Sequence, residues 1–381
     1  MTVMYVAPMF HTNQVPIIRG WIKNNHTVTF VCQYSGKTED HTDCTPIVLG
    51  YSAFFRFLNT IYIFLTGHKR KHTAYPEAFR DKCGFPSVRK TLKLLRKTAP
   101  DIIILRERSV YSIVFYALCK LKKIDCILYN QTPLWDWSPK KTDFAHKMVN
   151  RLTPPIRMTP VYGNEQTGFL DKAAHYVPFV IEPHAAPSER EYFKDNLIHV
   201  LCVGKYEDRK HQLMLLEILN ELKASYPFRL VLVGEASTPY HKAYYEKVQQ
   251  YISSHNLEEF VSCYTNRAPS DMPDFYLHAD LFILPSTGEF ASISQLEAMS
   301  YSLPVIVSDT NGTACYIEHS KNGFIFKDND KSSLQSHLLT LLQTPALIPE
   351  MGKASYNLVT GKYSFDLYAK NIQHLKHLLH Q

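Results

Sequence analysis

The sequence lacks most of the signals that would settle its class quickly. No run of 18 apolar residues is free of charge, which excludes an ordinary membrane-spanning helix. Its eight cysteines are scattered without a Cys-x-x-Cys pair, so neither structural zinc nor a disulfide framework is expected. Several sit in apolar runs such as VLCVG, where cysteine behaves as a small hydrophobe, and a reduced, cytoplasmic chain is expected. The opening MTVMYVAP reads as a buried strand, not as a basic and apolar leader with a small-residue cleavage site. The histidines include no His-Glu-x-x-His or comparable ligand spacing, so no metal site is expected. A Gly-x-Ser-x-Gly elbow is missing, which argues against an α/β-hydrolase. No Gly-x-Gly-x-x-Gly follows the first strand, which argues against a dinucleotide oxidoreductase.

What is present is a chain of 381 residues, 45% apolar and 20% charged, long enough for two or three domains. The net charge of +7 hides an asymmetry. Residues 1–180 hold 25 Lys+Arg and 12 Asp+Glu, a net of +13; the remainder holds 17 and 23, a net of −6. Opposite signs suggest different partners for the two halves. The basic half shows no nucleic-acid recognition motif, so nucleic acid is not expected. Residues 51–65 (YSAFFRFLNTIYIFL) form an aromatic-rich helical stretch followed by the basic cluster His68-Lys69-Arg70-Lys71-His72. That pairing suits either the surface of an anionic membrane or a core helix with a solvated loop.

Short β-branched runs alternate with amphipathic helical stretches throughout, the pattern of parallel sheets covered by helices. In the first half strands are expected at 3–7, 27–32, 101–105, 126–129, 157–162 and 175–180, with helices at 15–23 and 86–98. A Pro- and Ala-rich linker, EPHAAPSE, follows at 182–189. The pattern restarts with strands at 199–203, 229–233, 261–264, 281–284, 305–308 and 323–326. Helices are expected there at 211–224, 242–253, 294–300 and 365–380. Two Rossmann-like halves with a cleft between them are the natural architecture.

The densest chemistry lies in residues 281–309, LFILPSTGEFASISQLEAMSYSLPVIVSD. A buried strand ends in a turn; Glu289 follows, then small residues and Ile293, then a helix carrying Glu297. Free N–H groups and the dipole at such a helix start suit a diphosphate. The two carboxylates could accept hydrogen bonds from sugar or ribose hydroxyls, or Glu297 could be an ordinary surface residue. Asp328-Asn329-Asp330 imitates a metal-binding pair, but Asp330 before a helix reads better as an N-cap.

This stretch resembles the retaining nucleotide-sugar glycosyltransferases of family 4. Glu289 and Glu297 keep their spacing of two glutamates seven residues apart, and Glu297-Ala298-Met299 and Pro304-Val305-Ile306 keep the sequel. Ser302 stands in place of the usual glycine. Val203-Gly204-Lys205-Tyr206-Glu207-Asp208-Arg209-Lys210 resembles the family's diphosphate-holding loop, with Lys210 at its lysine and Lys205 where arginine is usual. The resemblance covers residues 198–327 well and the first half only in outline.

The resemblance implies the α/β GT-B fold, with two Rossmann-like domains facing each other across a cleft. It implies an acceptor-binding domain at 1–183, a nucleotide-sugar domain at 190–364, and a last helix at 365–381 crossing back to the first domain. It also implies a retaining, metal-independent transferase without a cofactor, its donor a nucleoside-diphosphate sugar, UDP before GDP. Glu289, Lys210 and Lys205 are the implied catalytic residues. Donor contacts fall to Glu297, Ser292, Ile293, Ser294, Gly234, Thr265, Asn266 and Arg267. Acceptor or sugar contacts fall to His11, Asn13, Asn130, Gln131 and Arg106; for Arg106, with Glu107 and Arg108, a structural ion pair is the other reading. A glycan or polyprenyl-pyrophosphate-linked glycan acceptor and an anionic membrane surface complete the expected partners, for a peripheral protein on the cytoplasmic face. A nucleotide-sugar epimerase of the same fold and a non-catalytic partner subunit are the alternatives.

Overall fold

A computed structural model describes residues 1–35, 42–67, 83–106, 109–136 and 151–381. The basic cluster at 68–72, Glu107 and Arg108 lie outside the described residues. The chain divides into two compact units: residues 1–180 with 365–381, and residues 181–364.

The first unit is built on seven parallel strands. They are β1 (Thr2–Ala7), β2 (Thr27–Cys32), β3 (Ile47–Val48), β4 (Ile102–Arg106), β5 (Asp125–Tyr129), β7 (Arg157–Thr159) and β9 (Ala174–Tyr176), in the spatial order β3-β2-β1-β4-β5-β7-β9. A small antiparallel pair, β6 (Trp135–Asp136) and β8 (Phe169–Leu170), stands apart from that sheet. Alternation along the strands sends successive residues to opposite faces. Val3, Tyr5, Ala7, Ile102 and Ile104 enter one core; Met4, Val6, Ile103 and Leu105 enter the other. Both faces are therefore apolar, which is why these strands read as continuous hydrophobic runs.

Helix α1 (Val15–Lys23) covers the first face, and α3 (Val88–Thr98) and α4 (Val110–Lys122) the second, through Trp21, Leu95 and Phe115. The final helix, α11 (Phe365–Leu378), lies on the α1 side and brings Tyr368, Ile372 and Leu375 into that core. Trp21 donates to the Tyr5 hydroxyl at 2.7 Å, which shares a 3.0 Å hydrogen bond with the Tyr368 hydroxyl. Helix α2 (Ala53–Gly67) is the exception: Phe55 is buried, while Phe54, Phe57, Ile61, Phe64 and Leu65 are exposed. No helix among the described residues is long and apolar enough to cross a membrane.

Strands expected at 157–162 and 175–180 are shorter in the structure. Pro160 and Pro178 follow closely on the two strands, and proline has no N–H to give to a ladder.

The second unit contains β10 (Ile198–Val203), β11 (Phe228–Gly234), β12 (Val261–Thr265), β13 (Leu281–Leu284), β14 (Val305–Ser308) and β15 (Gly323–Phe326), all parallel, in the order β12-β11-β10-β13-β14-β15. Counted within each unit, both sheets begin 3-2-1-4-5, the doubly wound order. The strand order, not the strand direction, reverses between β10 and β13, and in such sheets ligands bind beyond the strand C-termini at that point. The helices of this unit are α5 (Gln212–Leu222), α6 (Pro239–Ser254), α7 (Met272–Leu277), α8 (Ile293–Ser300), α9 (Lys331–Gln343) and α10 (Leu347–Thr360). Asp330 caps α9, its carboxylate accepting from the Ser333 N–H at 3.0 Å, in accord with the N-cap reading.

Candidate functional site

The loop after β10 and the loop after β13 meet at the reversal point of the second unit. Gly204 lets the Lys210 stem pass close: a Cβ added there would lie 3.3 Å from Lys210 Cδ. Lys210 is buried, and its ammonium pairs with Glu289 Oε2. A buried ammonium needs such a partner, because desolvation without one is costly. The backbone fixes this meeting: Thr287 N–H donates to the Arg209 carbonyl at 2.8 Å, and the Thr287 hydroxyl hydrogen-bonds His211 Nε2 at 2.7 Å and Asp328 at 2.8 Å.

Helix α8 begins beside these groups. Ser292 is its N-cap, accepting from the Gln295 N–H at 3.3 Å, and the Ser294 hydroxyl reaches the Val203 carbonyl at 3.2 Å. The helix start therefore sits against the end of β10. The first N–H groups of a helix have no intrahelical acceptor, so those of Ile293 and Ser294 are available to an anion. A buried carboxamide and hydroxyl network holds the approach: Gln295 Oε1 accepts from Asn311 at 3.0 Å and Thr313 at 2.7 Å, and Thr313 Oγ1 accepts from the Ser292 N–H.

Glu297 lies about one turn inside α8. Its carboxylate accepts from the Tyr276 hydroxyl at 2.7 Å, and burial pushes its pKa above the usual glutamate value while that hydrogen bond opposes the shift. Tyr276 stacks on Tyr301, ring centroids 5.2 Å apart. Glu297 is thus not a free surface residue; it is a second carboxylate, held by Tyr276 where Glu289 is held by Lys210 and Arg209.

Lys205 points elsewhere. Its ammonium is 3.2 Å from Glu235 Oε2, and both side chains are about half exposed. The guanidinium at Glu289 belongs to Arg209, with Nη1 2.7 Å from Glu289 Oε2 and Nη2 2.7 Å from Glu207 Oε1. Neither Arg209 nor Tyr276 is singled out by the sequence. The position of Arg209 next to Lys210 was the available signal for the first; Tyr276 reaches the site from a helix with no motif.

Gly234, Thr265 and Asn266 come together at the edge of β11 and β12. A Cβ on Gly234 would lie 2.2 Å from the Gly204 carbonyl oxygen, so only glycine fits. Asn266, at φ +52°, donates its N–H to the Gly234 carbonyl and accepts the Ala236 N–H, both at 2.9 Å. Arg267 lays its guanidinium 4.9 Å over the Tyr264 ring.

In the first unit, the corresponding reversal point between β1 and β4 holds a cavity of about 30 Å3, lined by Tyr5, Asn13, Arg106, Tyr129, Pro160 and Tyr368 among others. Asn13 Oδ1 is buried there without a hydrogen-bond partner among the described residues. Burial, then the Arg106 charge, pushes His11 down to about 4, so its ring is neutral at physiological pH. His11, Asn13 and Arg106 therefore share one region. Asn130 is engaged elsewhere, its Oδ1 accepting from Arg157 Nη1 at 2.6 Å in a buried cluster with Asp171. Gln131, next to it, is half-buried.

Residues 187–358 match the family described as glycosyl transferases group 1. The chain is 27% identical over 162 residues to an alpha-monoglucosyldiacylglycerol synthase of Acholeplasma laidlawii, covering 42% of this chain and 38% of that one. It is 35% identical over 78 residues to a UDP-Gal:alpha-D-GlcNAc-diphosphoundecaprenol alpha-1,3-galactosyltransferase of Escherichia coli, covering 20% of each. The chain thus spans well under half the length of either relative. A glycosyltransferase structure from Rickettsia africae ESF-5 superposes with a TM-score of 0.71 at 17% identity, covering 99% of this chain and 98% of that one. The fold is GT-B, and the match to the glycosyl transferases group 1 family falls within the second unit.

Proposed function

We propose that the chain is a retaining, metal-independent glycosyltransferase that moves a sugar from a nucleoside-diphosphate sugar, UDP before GDP, to a glycan or polyprenyl-pyrophosphate-linked glycan. The observation that carries the reading is the buried Lys210–Glu289 pair beside the open N–H groups of α8, at the reversal point of the second sheet. As the bond to the sugar breaks, negative charge grows on the diphosphate, and preorganised positive groups stabilise it. Lys210 and the Ile293 and Ser294 N–H groups supply that stabilisation, with Lys205 adding charge at the rim. Glu289 orients the sugar hydroxyls and Glu297 the ribose. The base lies against Gly234 and residues 265–267. No side-chain nucleophile is assigned; the leaving phosphate assists deprotonation of the acceptor on the same face of the sugar.

The acceptor falls to the first unit, with its net positive charge and His11, Asn13, Arg106 and Gln131. The exposed aromatic face of α2 and that charge support attachment to an anionic membrane on the cytoplasmic side. Sedimentation with anionic vesicles should retain the protein and high salt should release it; failure to sediment removes the membrane from the proposal.

A thermal-shift series with UDP, GDP and ADP should raise the melting temperature for one of them. Free nucleotide should then be released from the matching sugar donor only when an acceptor is present, which separates transfer from epimerisation. Lys210→Ala should lower turnover by about 100-fold or more, and Glu289→Gln should also slow transfer. Near-normal rates in both variants would remove this site from the reaction.

A further inference from the structure

We propose that Arg209, not Lys205, is the second cation that grips the donor diphosphate in this chain. The inference rests on the donor reading above and names a residue which that reading leaves out.

Three observations converge on Arg209. Its guanidinium and the Lys210 ammonium meet on one oxygen, Glu289 Oε2. Its backbone is pinned to the β13 turn by the Thr287 N–H, so the guanidinium starts from a fixed place beside the site. Its side chain is 44% exposed whereas that of Lys210 is 8% exposed, so Arg209 can reorient towards an incoming ligand while Lys210 stays seated. Lys205, by contrast, faces Glu235. Glu235 is further engaged by the Ser237 hydroxyl.

Two cations sharing one carboxylate oxygen are arranged for a ligand richer in acceptor oxygens. A diphosphate offers more charge than a single carboxylate, and the planar fork of arginine matches phosphate oxygens in pairs, which an ammonium cannot do. On binding, Arg209 exchanges Glu289 for the diphosphate. The same exchange frees Glu289 Oε2 to accept a sugar hydroxyl.

The test measures, by calorimetry, the affinity of whichever of UDP, GDP and ADP the wild-type chain binds most tightly, and of the matching nucleoside. Arg209→Ala should weaken the nucleoside diphosphate by about 10- to 100-fold, the range for losing a charge-assisted hydrogen bond. The nucleoside should change by less than about twofold, since it lacks the phosphates; a merely structural ion pair would affect both ligands alike. Arg209→Lys should fall between wild type and Arg209→Ala, and Lys205→Ala should weaken the diphosphate less than Arg209→Ala does. If Arg209→Ala binds the diphosphate within twofold of wild type, or Lys205→Ala is the worse of the two, the inference is overturned while the donor reading stands. If the wild type binds none of the three diphosphates, the donor reading fails and takes this inference with it.

Discussion

Ser302 is buried with φ at +57°, in the left-handed region that most side chains avoid. A glycine would adopt it freely, but the serine has an offsetting bond: its hydroxyl donates to the Ala185 carbonyl at 2.6 Å, while its own carbonyl accepts from the Tyr192 hydroxyl at 2.6 Å. Ser302→Ala keeps the backbone strain and orphans a buried carbonyl, so denaturant unfolding should show a loss of about 1–3 kcal/mol. Ser302→Gly loses the same bond but relieves the strain, and should cost less. Glu297 makes a contrasting case. Its carboxyl is raised by burial, so the folded chain holds that proton more tightly than the unfolded chain does. The stability it contributes is present below the ordinary glutamate pKa and is lost as pH rises through the raised value. Glu297→Gln should therefore raise stability at neutral pH and flatten its pH dependence, while weakening donor binding; urea melts at two pH values check the first effect, calorimetry the second. Glu289 and Glu297 were legible as candidates because their spacing is a property of the chain itself, and Lys210 through the resemblance of the loop that carries it. Arg209 was not: whether it joins Lys210 at Glu289 depends on the turn at residues 208–211, where His211 is left-handed.

The start of α8 is shaped by a loop it does not belong to. Gly312 donates its N–H to the Glu289 carbonyl at 2.7 Å, and a Cβ at that position would lie 1.9 Å from the Phe290 carbonyl oxygen. Gly312→Ala must push residues 289–290 aside, at a cost of about 1–3 kcal/mol. Because that segment carries Glu289 and leads into the α8 N-terminus, donor affinity should fall as well, whereas unfolding alone would report only the first effect. Most strands could be read from the sequence, because a sheet covered on both faces writes uninterrupted apolar runs. Helix α10 could not: Pro349 and Gly352 lie within it, and both disfavour a helix. Pro349 is tolerated in the first turn, where no intrahelical acceptor awaits its N–H. Gly352 is required, since a Cβ there would lie 2.1 Å from the Ser302 carbonyl oxygen. Tertiary contact overrides local preference at both positions.

The first unit is closed by a segment that returns after the whole of the second. Tyr368, Ile372 and Leu375 are buried in its core, and Gly20 faces the Phe365 ring so closely that an added Cβ would lie 2.0 Å from it. Burying three such side chains is worth about 1.5–3 kcal/mol each, comparable together with the whole stability of a domain. Ending the chain after Ser364 should therefore unfold the first unit selectively: limited proteolysis should digest residues 1–180 and leave residues 181–364 as a resistant fragment. Equal resistance of both parts would show that α11 is dispensable. The two-domain division was legible in the linker and in the restart of the strand pattern, while the last helix could be assigned to the first unit only by resemblance, since nothing in its own periodicity says which core it joins. The nesting also sets a timetable. Ribosomes add about 5–20 residues per second, so once residue 180 has been made, the 184 residues of the second unit occupy about 10–40 s before α11 begins to appear. Through that interval Trp21 and Tyr5 wait without their cover, and the nested domain is free to finish folding before the one that encloses it in sequence.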